Sequence, residues 1–157
     1  MDKKQKIRRI QEELLCFLPQ WNSYVTRPFK QTLEEGISME MYFSIQMLRW
    51  LGGTATMTEL GHAIHTPKQH VTKIVNRLVK YQFVERVYDP ADRRIIKIRL
   101  TDKATGYIDH FLDEDARCFA DLLEQMGDGD LTEFQKAIQT IMAIFEKIPR
   151  GNSDAVI

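Results

Sequence analysis

The sequence predicts a mostly α-helical protein with a small two- to three-stranded β wing. Two helical patterns joined by a short turn lie within about 56–81, and two strand patterns with a charged tip lie within about 83–100. Long amphipathic patterns precede and follow them, so we expect a winged helix-turn-helix core flanked by N- and C-terminal helices. The predicted domain boundaries are 1–36, 37–100 and 101–150, with a tail at 151–157.

Residues 5–34 are expected to be helical. Apolar side chains recur there at helical spacing, namely Ile7, Ile10, Leu14, Leu15, Phe17, Leu18 and Trp21. Pro19 and Pro28 interrupt this pattern, so we expect kinks or a break in the helix. A further helix is expected to begin at Ser38 and to end before Gly52-Gly53.

The helix-turn-helix pattern begins at Thr56, and Glu59 follows three residues later. This spacing is typical of a capping box, in which a hydroxyl and a carboxylate satisfy the first amides of a helix. The first helix is expected to end near His65, and Thr66-Pro67 to form the turn into the second. That second helix has a buried stripe and an opposite face without acidic residues, which carries Lys68, Gln69, His70, Thr72, Lys73, Asn76, Arg77 and Lys80.

The predicted wing consists of two short strands, at 83–88 and 95–100, joined by the turn 89–94 with its basic end. Charge is segregated along the chain although the whole chain is neutral. Residues 66–99 carry a net charge of +6, whereas residues 101–133 carry −8. A basic segment built on a winged helix-turn-helix indicates a protein that binds nucleic acid.

The C-terminal third predicts two helices. Thr101-Asp102 is expected to cap a long helix that runs to about Met126, with a turn at 127–130 and a last helix from about Leu131 to Ile148. Neither terminal region has an obvious core of its own. Apolar helices that the chain itself cannot cover suggest a partner surface.

Composition excludes several classes of protein. No run of eighteen apolar residues is present, so we expect no membrane span, and the N-terminus lacks the pattern of a secretory signal. Two distant cysteines form neither a disulfide nor a metal-binding spacing, which favours a cytoplasmic protein. We find no nucleophile with a base partner, no phosphate loop and no paired catalytic carboxylates, and therefore expect neither enzyme activity nor a cofactor.

The core resembles the DNA-binding region of the MarR family of bacterial transcriptional regulators. The likeness rests on Glu59-Leu60, Val71-Thr72-Lys73, Arg77-Leu78, Val84-Glu85-Arg86, Asp89-Pro90-Ala91-Asp92-Arg93-Arg94 and Leu100-Thr101. The wing followed by Leu-Thr is the most specific part. The chain departs from the family at Gln82 and Ala104, where glycine is usual, and Gln82 would need a left-handed or otherwise altered helix C-cap.

The resemblance implies a homodimer in which the first and last helices interlock. Such a dimer would present two recognition helices about 34 Å apart and would bind a near-palindromic duplex. The family default is a repressor that a small-molecule or redox signal releases from DNA. The implied partners are therefore double-stranded DNA, a second copy of the chain and a small aromatic or phenolic effector.

The expected geometry assigns roles to particular side chains. Lys68, Gln69 and His70 are expected to lie nearest the bases of the major groove. Thr72, Lys73 and Arg77 are better placed for phosphates, which set position rather than sequence. Arg93 or Arg94 should reach the adjacent minor groove. By resemblance, Arg94 is the inserting residue and Asp92 holds it in place.

Cys16 is a candidate redox residue with two interpretations. The run from Leu14 to Leu18 resembles the first helix of organic-peroxide sensors in the family, where a cysteine is oxidised. Those sensors use tyrosines to hold the thiolate, and this chain has Gln20 and Pro28-Phe29 near the matching positions. We therefore favour a buried structural cysteine, and a packing role for Cys118.

Three further groups have alternative interpretations. The aromatic residues Trp21, Tyr24, Phe43 and Trp50 are candidates to line an effector pocket, although we expect most of them to be core. His110 and Glu114 are one helical turn apart, and a solvated acidic face is favoured there over a metal site. The winged helix itself has an alternative function, which is to bind a protein or RNA instead of an operator.

Overall fold

The computed structural model describes residues 2–149, with the side chain of Asp115 left out, and the tail predicted at 151–157 lies outside the described residues. The N-terminal helices are α1 (Lys3–Trp21) and α2 (Arg27–Thr32), with a π-helical turn (Asn22–Thr26) between them. The core contains α3 (Met39–Trp50), β1 (Thr54–Thr56), α4 (Met57–Ala63), α5 (Lys68–Lys80), β2 (Val84–Tyr88) and β3 (Ile96–Leu100). The C-terminal region contains α6 (Asp102–His110), a π-helical turn (Phe111–Asp115), α7 (Arg117–Leu123) and α8 (Asp128–Glu146).

The mostly helical winged fold that the sequence predicts is confirmed. The three strands form an antiparallel sheet in the order β1-β3-β2, so β3 is central and the β2–β3 hairpin projects as the wing. Ala55 pairs with Ile98, which pairs on its other side with Arg86. The third strand, β1, directly precedes α4, and its three residues are too few to show a strand periodicity.

The hydrophobic core lies where α3, α4 and α5 pack against the sheet and α6. Its fully buried members include Met41, Ile45, Leu48, Leu60, Val71, Val75, Leu78, Ile98 and Ile108. The stripe predicted on α5 is therefore buried as expected, and the opposite face of that helix is left at the surface. Among residues 2–149, no helix is long and apolar enough to cross a lipid bilayer.

The local signals at helix ends are largely confirmed. Ser38 and Thr101 are the N-caps of α3 and α6, and each accepts a hydrogen bond from a backbone amide three residues later. Gln82 has a φ of +60°, so the altered C-cap expected there is present. The Phe83 N–H donates to Leu78 O at 2.9 Å, which closes the end of α5 and directs the chain into the wing.

The single long helix predicted from Asp102 to about Met126 is wrong. A π-helical turn at 111–115 and a bend at Ala116 divide it into α6 and α7. A π turn absorbs one extra residue, so that Phe111 and Phe119 both face Phe29, at ring-centroid distances of 5.5 and 5.9 Å. The turn predicted at 127–130 is also wrong, since α8 begins at Asp128, where acidic side chains favour a helix N-terminus.

The break expected from the prolines takes the form of a π turn between them. Pro19 lies inside α1 without ending it, and the backbone changes to π geometry three residues later. Pro28 lies in the first turn of α2, where its missing N–H is tolerated. The N-terminal segment is thus nearly continuous helix from Lys3 to Thr32.

Candidate nucleic-acid interface

The capping box predicted for α4 is present and fixes the start of the helix-turn-helix. The Thr56 N–H donates to Glu59 Oε2 at 2.7 Å, and the Glu59 N–H donates to Thr56 Oγ1 at 3.1 Å. The hydrogen bond from the Thr56 backbone N–H is the largest cause that lowers the pKa of the Glu59 carboxyl. The carboxylate therefore remains charged at the N-terminus of α4, where negative charge is favourable.

The turn between α4 and α5 depends on a glycine whose role the sequence analysis missed. A Cβ on Gly61 would lie 3.1 Å from both Thr66 O and Val71 Cγ2, so the two helices approach closely here. His65 adopts a φ of +54° in the same turn. A glycine or asparagine directly after the C-cap of α4 would have indicated this left-handed position in the sequence, but the chain has histidine there.

The exposed face of α5 contains the predicted recognition residues together. Lys68, Gln69, His70, Thr72, Lys73, Asn76 and Arg77 are all exposed. Pro67 is the N-cap of this helix, and its side chain makes no capping hydrogen bond, so the first amides of α5 point outward. Within residues 2–149, no acidic side chain lies on the outer face of this helix.

Two of these side chains contact other parts of the chain, which the sequence could not indicate. His70 Nε2 lies 3.0 Å from Glu40 Oε1 in the first turn of α3. Arg77 Nη2 donates to Gly36 O at 3.2 Å, in the loop that precedes α3. Both contacts are exposed, so they orient the side chains while leaving them open to a further partner.

A link between the wing and the recognition helix was also missed. Arg86 Nη2 on β2 donates to Asn76 Oδ1 on α5. The sequence indicates only that Asn76 lies on the polar face of α5 and that Arg86 matches the family pattern, and it does not indicate that the two side chains meet. The contact fixes the side of α5 that faces the wing.

The wing tip is organised by Asp89. Its Oδ1 accepts from the Ala91 N–H at 2.8 Å and the Asp92 N–H at 3.3 Å, and its Oδ2 lies 2.7 Å from Lys97 Nζ. The hydrogen bond from Lys97 is the largest cause that lowers the pKa of the Asp89 carboxyl. This residue belongs to the motif found in the sequence, but its structural role is visible only from the contacts.

Asp92 and the two arginines occupy the end of the same turn. Asp92 Oδ1 accepts from the Arg94 N–H at 3.0 Å, so Asp92 contacts the backbone of Arg94. Asp92, Arg93 and Arg94 are all exposed. The two arginines therefore lie in the exposed turn that joins β2 to β3, at the end of the hairpin.

The base of the hairpin carries a second charge pair. Arg99 Nε and Nη2 donate to Glu85 Oε1 at 2.9 and 2.7 Å, across the β2–β3 pairing that places these residues opposite each other. The carboxylate of Glu85 offsets the positive charge of Arg99 at this end of the hairpin. Arg93 and Arg94 are the exposed cations of the tip turn, which also contains Asp89 and Asp92.

The long terminal helices α1 and α8 have no buried residues. Their exposed apolar side chains include Ile7, Ile10, Leu14, Leu15, Leu18, Ile141, Met142, Ile144 and Phe145. Such an extended apolar surface is unusual for a chain that acts alone. The terminal regions contribute Phe29, Tyr107, Ile108 and Phe111 to the central core, whereas α1 and α8 themselves bury no residue.

Several expectations about side chains outside the core are wrong for the single chain. Cys16 is exposed, not buried, as no residue of α1 is buried. Tyr24, Phe43 and Trp50 are exposed, Trp50 by 78%, so the core placement fails for these three, whereas Trp21 is half-buried. Periodicity cannot distinguish a face covered by the same chain from one that is not.

The remaining candidate residues have modest roles. Cys118 is half-buried, as a packing residue would be, and burial raises the pKa of its thiol. His110 Nδ1 lies 3.9 Å from Glu114 Oε2. Among the described residues, no group of three or more metal-ligating side chains is arranged to hold a metal ion.

Comparison with known proteins agrees with this geometry. Residues 38–96 match the model of the MarR family. YsmB from Bacillus subtilis, named as an HTH-type transcriptional regulator, is 29% identical over 96 residues. The match covers 60% of this chain and 66% of that relative, so the chain spans just under two thirds of its length.

Solved structures show the same fold. MarR from E. coli, as a mutant complexed with operator DNA, aligns with a TM-score of 0.67 and 17% identity, over 90% of this chain and 99% of that one. BpsR from Bordetella bronchiseptica, whose DNA binding is regulated by 6-hydroxynicotinic acid, aligns with a TM-score of 0.68 and 14% identity. That alignment covers 83% of this chain and 98% of BpsR.

Proposed function

We propose that the chain is a transcriptional regulator of the MarR family, which binds double-stranded DNA sequence-specifically and represses transcription. The match of residues 38–96 to the model of that family and the 29% identity with YsmB support the proposal. One observation carries the proposal. The outer face of α5, which has no acidic side chain, lies beside a wing that presents two exposed arginines. A helix and a wing of this kind fit the major groove and the adjacent minor groove of one duplex.

Lys68, Gln69 and His70 are the proposed base-reading residues. They occupy the first turn of α5, which is the end that enters the major groove in helix-turn-helix proteins. Gln69 can pair bidentately with adenine, and Lys68 can donate to guanine O6 and N7. The contact of His70 with Glu40 would be exchanged for a base or phosphate contact on binding.

Thr72, Lys73 and Arg77 are the proposed phosphate ligands. They lie along the exposed face of α5, and their side chains can all donate hydrogen bonds. Contacts of this kind set the position of the protein on the duplex and make the affinity depend on salt. The bond of Arg77 to Gly36 O supports a role in which one guanidinium contacts both the loop and a phosphate.

Arg94 is the proposed minor-groove residue, and Asp92 positions it by accepting its backbone N–H. The negative potential of a narrow minor groove favours an inserted arginine. Arg93, one residue earlier on the same exposed tip, would contact the flanking backbone.

The active species would be a homodimer. The proposed dimerisation regions are 1–36 and 101–150, because α1 and α8 display apolar side chains that no part of the described chain covers. A two-fold dimer places two recognition helices about 34 Å apart, so the proposed operator is near-palindromic with half-sites one turn of DNA apart.

The proposed signal is a small aromatic or phenolic effector, or an oxidant, that releases the protein from DNA. BpsR, which shares the fold, is regulated by 6-hydroxynicotinic acid, and this supports a small aromatic molecule. The exposure of Cys16 supports its role as the candidate redox residue. We place the protein in the cytoplasm, where it would meet both DNA and metabolites.

The test is selection of bound duplexes from a random DNA pool, followed by a salt titration of the selected sequence. The proposal expects a two-fold-symmetric consensus and affinity that falls steeply with salt. If the pool yields no enrichment and the chain binds only weakly and without sequence preference, operator binding is rejected. The alternative, a winged helix that binds a protein or RNA, is then favoured.

A further inference from the structure

Lys97 lies at the point where the wing meets the helix-turn-helix. It is the second residue of β3, and its backbone pairs with Thr56 of β1 on one side and Val87 of β2 on the other. Its side chain is only 36% exposed, although lysine side chains usually extend into solvent. A general role in the positive surface charge therefore does not explain why this lysine side chain is partly buried.

The ammonium of Lys97 is held against Asp89, at 2.7 Å from Oδ2. The Asp89 carboxylate also accepts hydrogen bonds from the Ala91 and Asp92 N–H groups in the wing-tip turn, and its side chain is only 16% exposed. Asp92 in turn accepts the Arg94 N–H. A series of contacts thus runs from Lys97 to the backbone of Arg94.

On its other side, Lys97 lies near the start of the helix-turn-helix. The pKa of the Lys97 ammonium is raised, chiefly by the hydrogen bond to Asp89 and to a smaller extent by the charge of Glu59. Glu59 is the capping-box carboxylate of α4. Lys97 therefore contacts the carboxylate that organises the wing tip, and its backbone is paired with Thr56, the N-cap residue of the first helix.

We propose that Lys97 is a positioning residue, which fixes the wing tip relative to the helix-turn-helix so that Arg94 is presented to the minor groove. The inference rests on the proposed function, since the wing must bind DNA for its position to matter. Lys97 would not itself contact a phosphate, because its ammonium is engaged with Asp89 inside the hairpin. Its effect on binding would therefore act through Arg94.

Arg99 provides a matched control. It lies two residues further along the same strand and makes a comparable cross-strand pair with Glu85. That pair is at the base of the hairpin, away from the tip turn. Lys97→Met and Arg99→Met remove the same charge and one cross-strand ion pair each, so only the effect on the wing tip differs between them.

The first experiment measures affinity for the selected duplex, with all variants at a temperature well below unfolding. We expect Lys97→Met to weaken binding about tenfold, and by no more than Arg94→Ala, because its effect acts through Arg94. Arg99→Met should remain within about twofold of the unmodified chain. Lys97→Arg should retain binding, and Lys97→Met should have little further effect when Arg94→Ala is already present.

The slope of affinity against salt separates positioning from direct contact. Lys97→Met should leave this slope unchanged. A decrease of about 0.9 would mean that one phosphate contact is lost. That result would make Lys97 a DNA ligand and overturn the proposal, as would equal weakening by Lys97→Met and Arg99→Met.

The second experiment uses the free protein and does not depend on DNA binding. The backbone N–H groups of Ala91 and Asp92 donate hydrogen bonds to Asp89. Their hydrogen exchange should become several-fold faster in Lys97→Met and stay unchanged in Arg99→Met and Lys97→Arg. Unchanged exchange in Lys97→Met would overturn the positioning role. If exchange changes as expected while the unmodified chain binds no DNA, the proposed function fails although the anchoring contact is real.

Discussion

The winged core and the terminal helices use their apolar residues in opposite ways. Within residues 2–149, every buried apolar side chain except Phe29 and Phe111 lies between Ile37 and Ile108. The two 19-residue helices α1 and α8 bury none, although both have apolar side chains at helical spacing. The comparison teaches that the core buries its own apolar side chains within the chain, whereas the two long terminal helices leave theirs exposed in the single chain.

The largest expected effect is in the core. Leu78→Ala removes a fully buried side chain on the inner face of α5 and should lower the free energy of unfolding by about 2–5 kcal/mol. Denaturant unfolding followed by circular dichroism measures this change. Leu15→Ala on α1, where the leucine is exposed, is the control and should have a much smaller effect at low protein concentration. Equal losses would contradict the contrast between the two regions.

The next prediction concerns the terminal helices. Phe145→Asp places a charge on the exposed apolar face of α8 and should raise the dimer dissociation constant about 30-fold or more. Analytical ultracentrifugation over a range of concentrations measures it. Gln139→Asp adds the same charge at an exposed polar position of α8 and should leave association nearly unchanged. A Phe145→Asp chain that associates normally would mean that α8 does not form the interface.

Within the core, the wing and the recognition helix should respond differently to the loss of one cation. Arg94→Ala should weaken binding about 5- to 150-fold and relax specificity beside the core site, because it removes a minor-groove contact. Lys73→Ala should weaken binding to all duplexes alike and reduce the salt slope by about 1. Competition assays with altered duplexes at several salt concentrations measure both. Unchanged affinity for Arg94→Ala at moderate salt would show that the wing is not a contact.

The same contrast explains which features the sequence could predict. The helix starts at Ser38, Thr56 and Thr101 depend on neighbouring residues, so local patterns predicted them. The left-handed position of Gln82 was expected from the resemblance, because the family usually has glycine there. The π turn after His110 depends on where Phe111 and Phe119 must pack, and no local pattern encodes that requirement.

The candidate interface divides in the same way. The polar face of α5 and the two arginines follow from residue spacing along one element. The contacts of His70 with Glu40 and Arg77 with Gly36 join residues 30 and 41 positions apart, and only the folded chain brings them together. The exposure of Trp50 was mispredicted because an apolar periodicity does not say whether this chain or another molecule covers it.

The smallest expected effect compares one substitution in the two regions. Gln82→Gly should raise the free energy of unfolding by about 0.5–1 kcal/mol, because Gln82 has a φ of +60° that glycine adopts without strain. Gln135→Gly, in the exposed interior of α8, should lower it by about the same amount, because glycine there only loses conformational entropy.

Both values come from denaturant unfolding, and the opposite signs are the informative result. If Gln82→Gly destabilises the chain, the entry to the wing does not have the left-handed C-cap. If Gln135→Gly has no effect, α8 contributes nothing to the cooperative unit until a partner covers it. That outcome would sharpen the contrast, because the terminal helix would then gain its stability only from association.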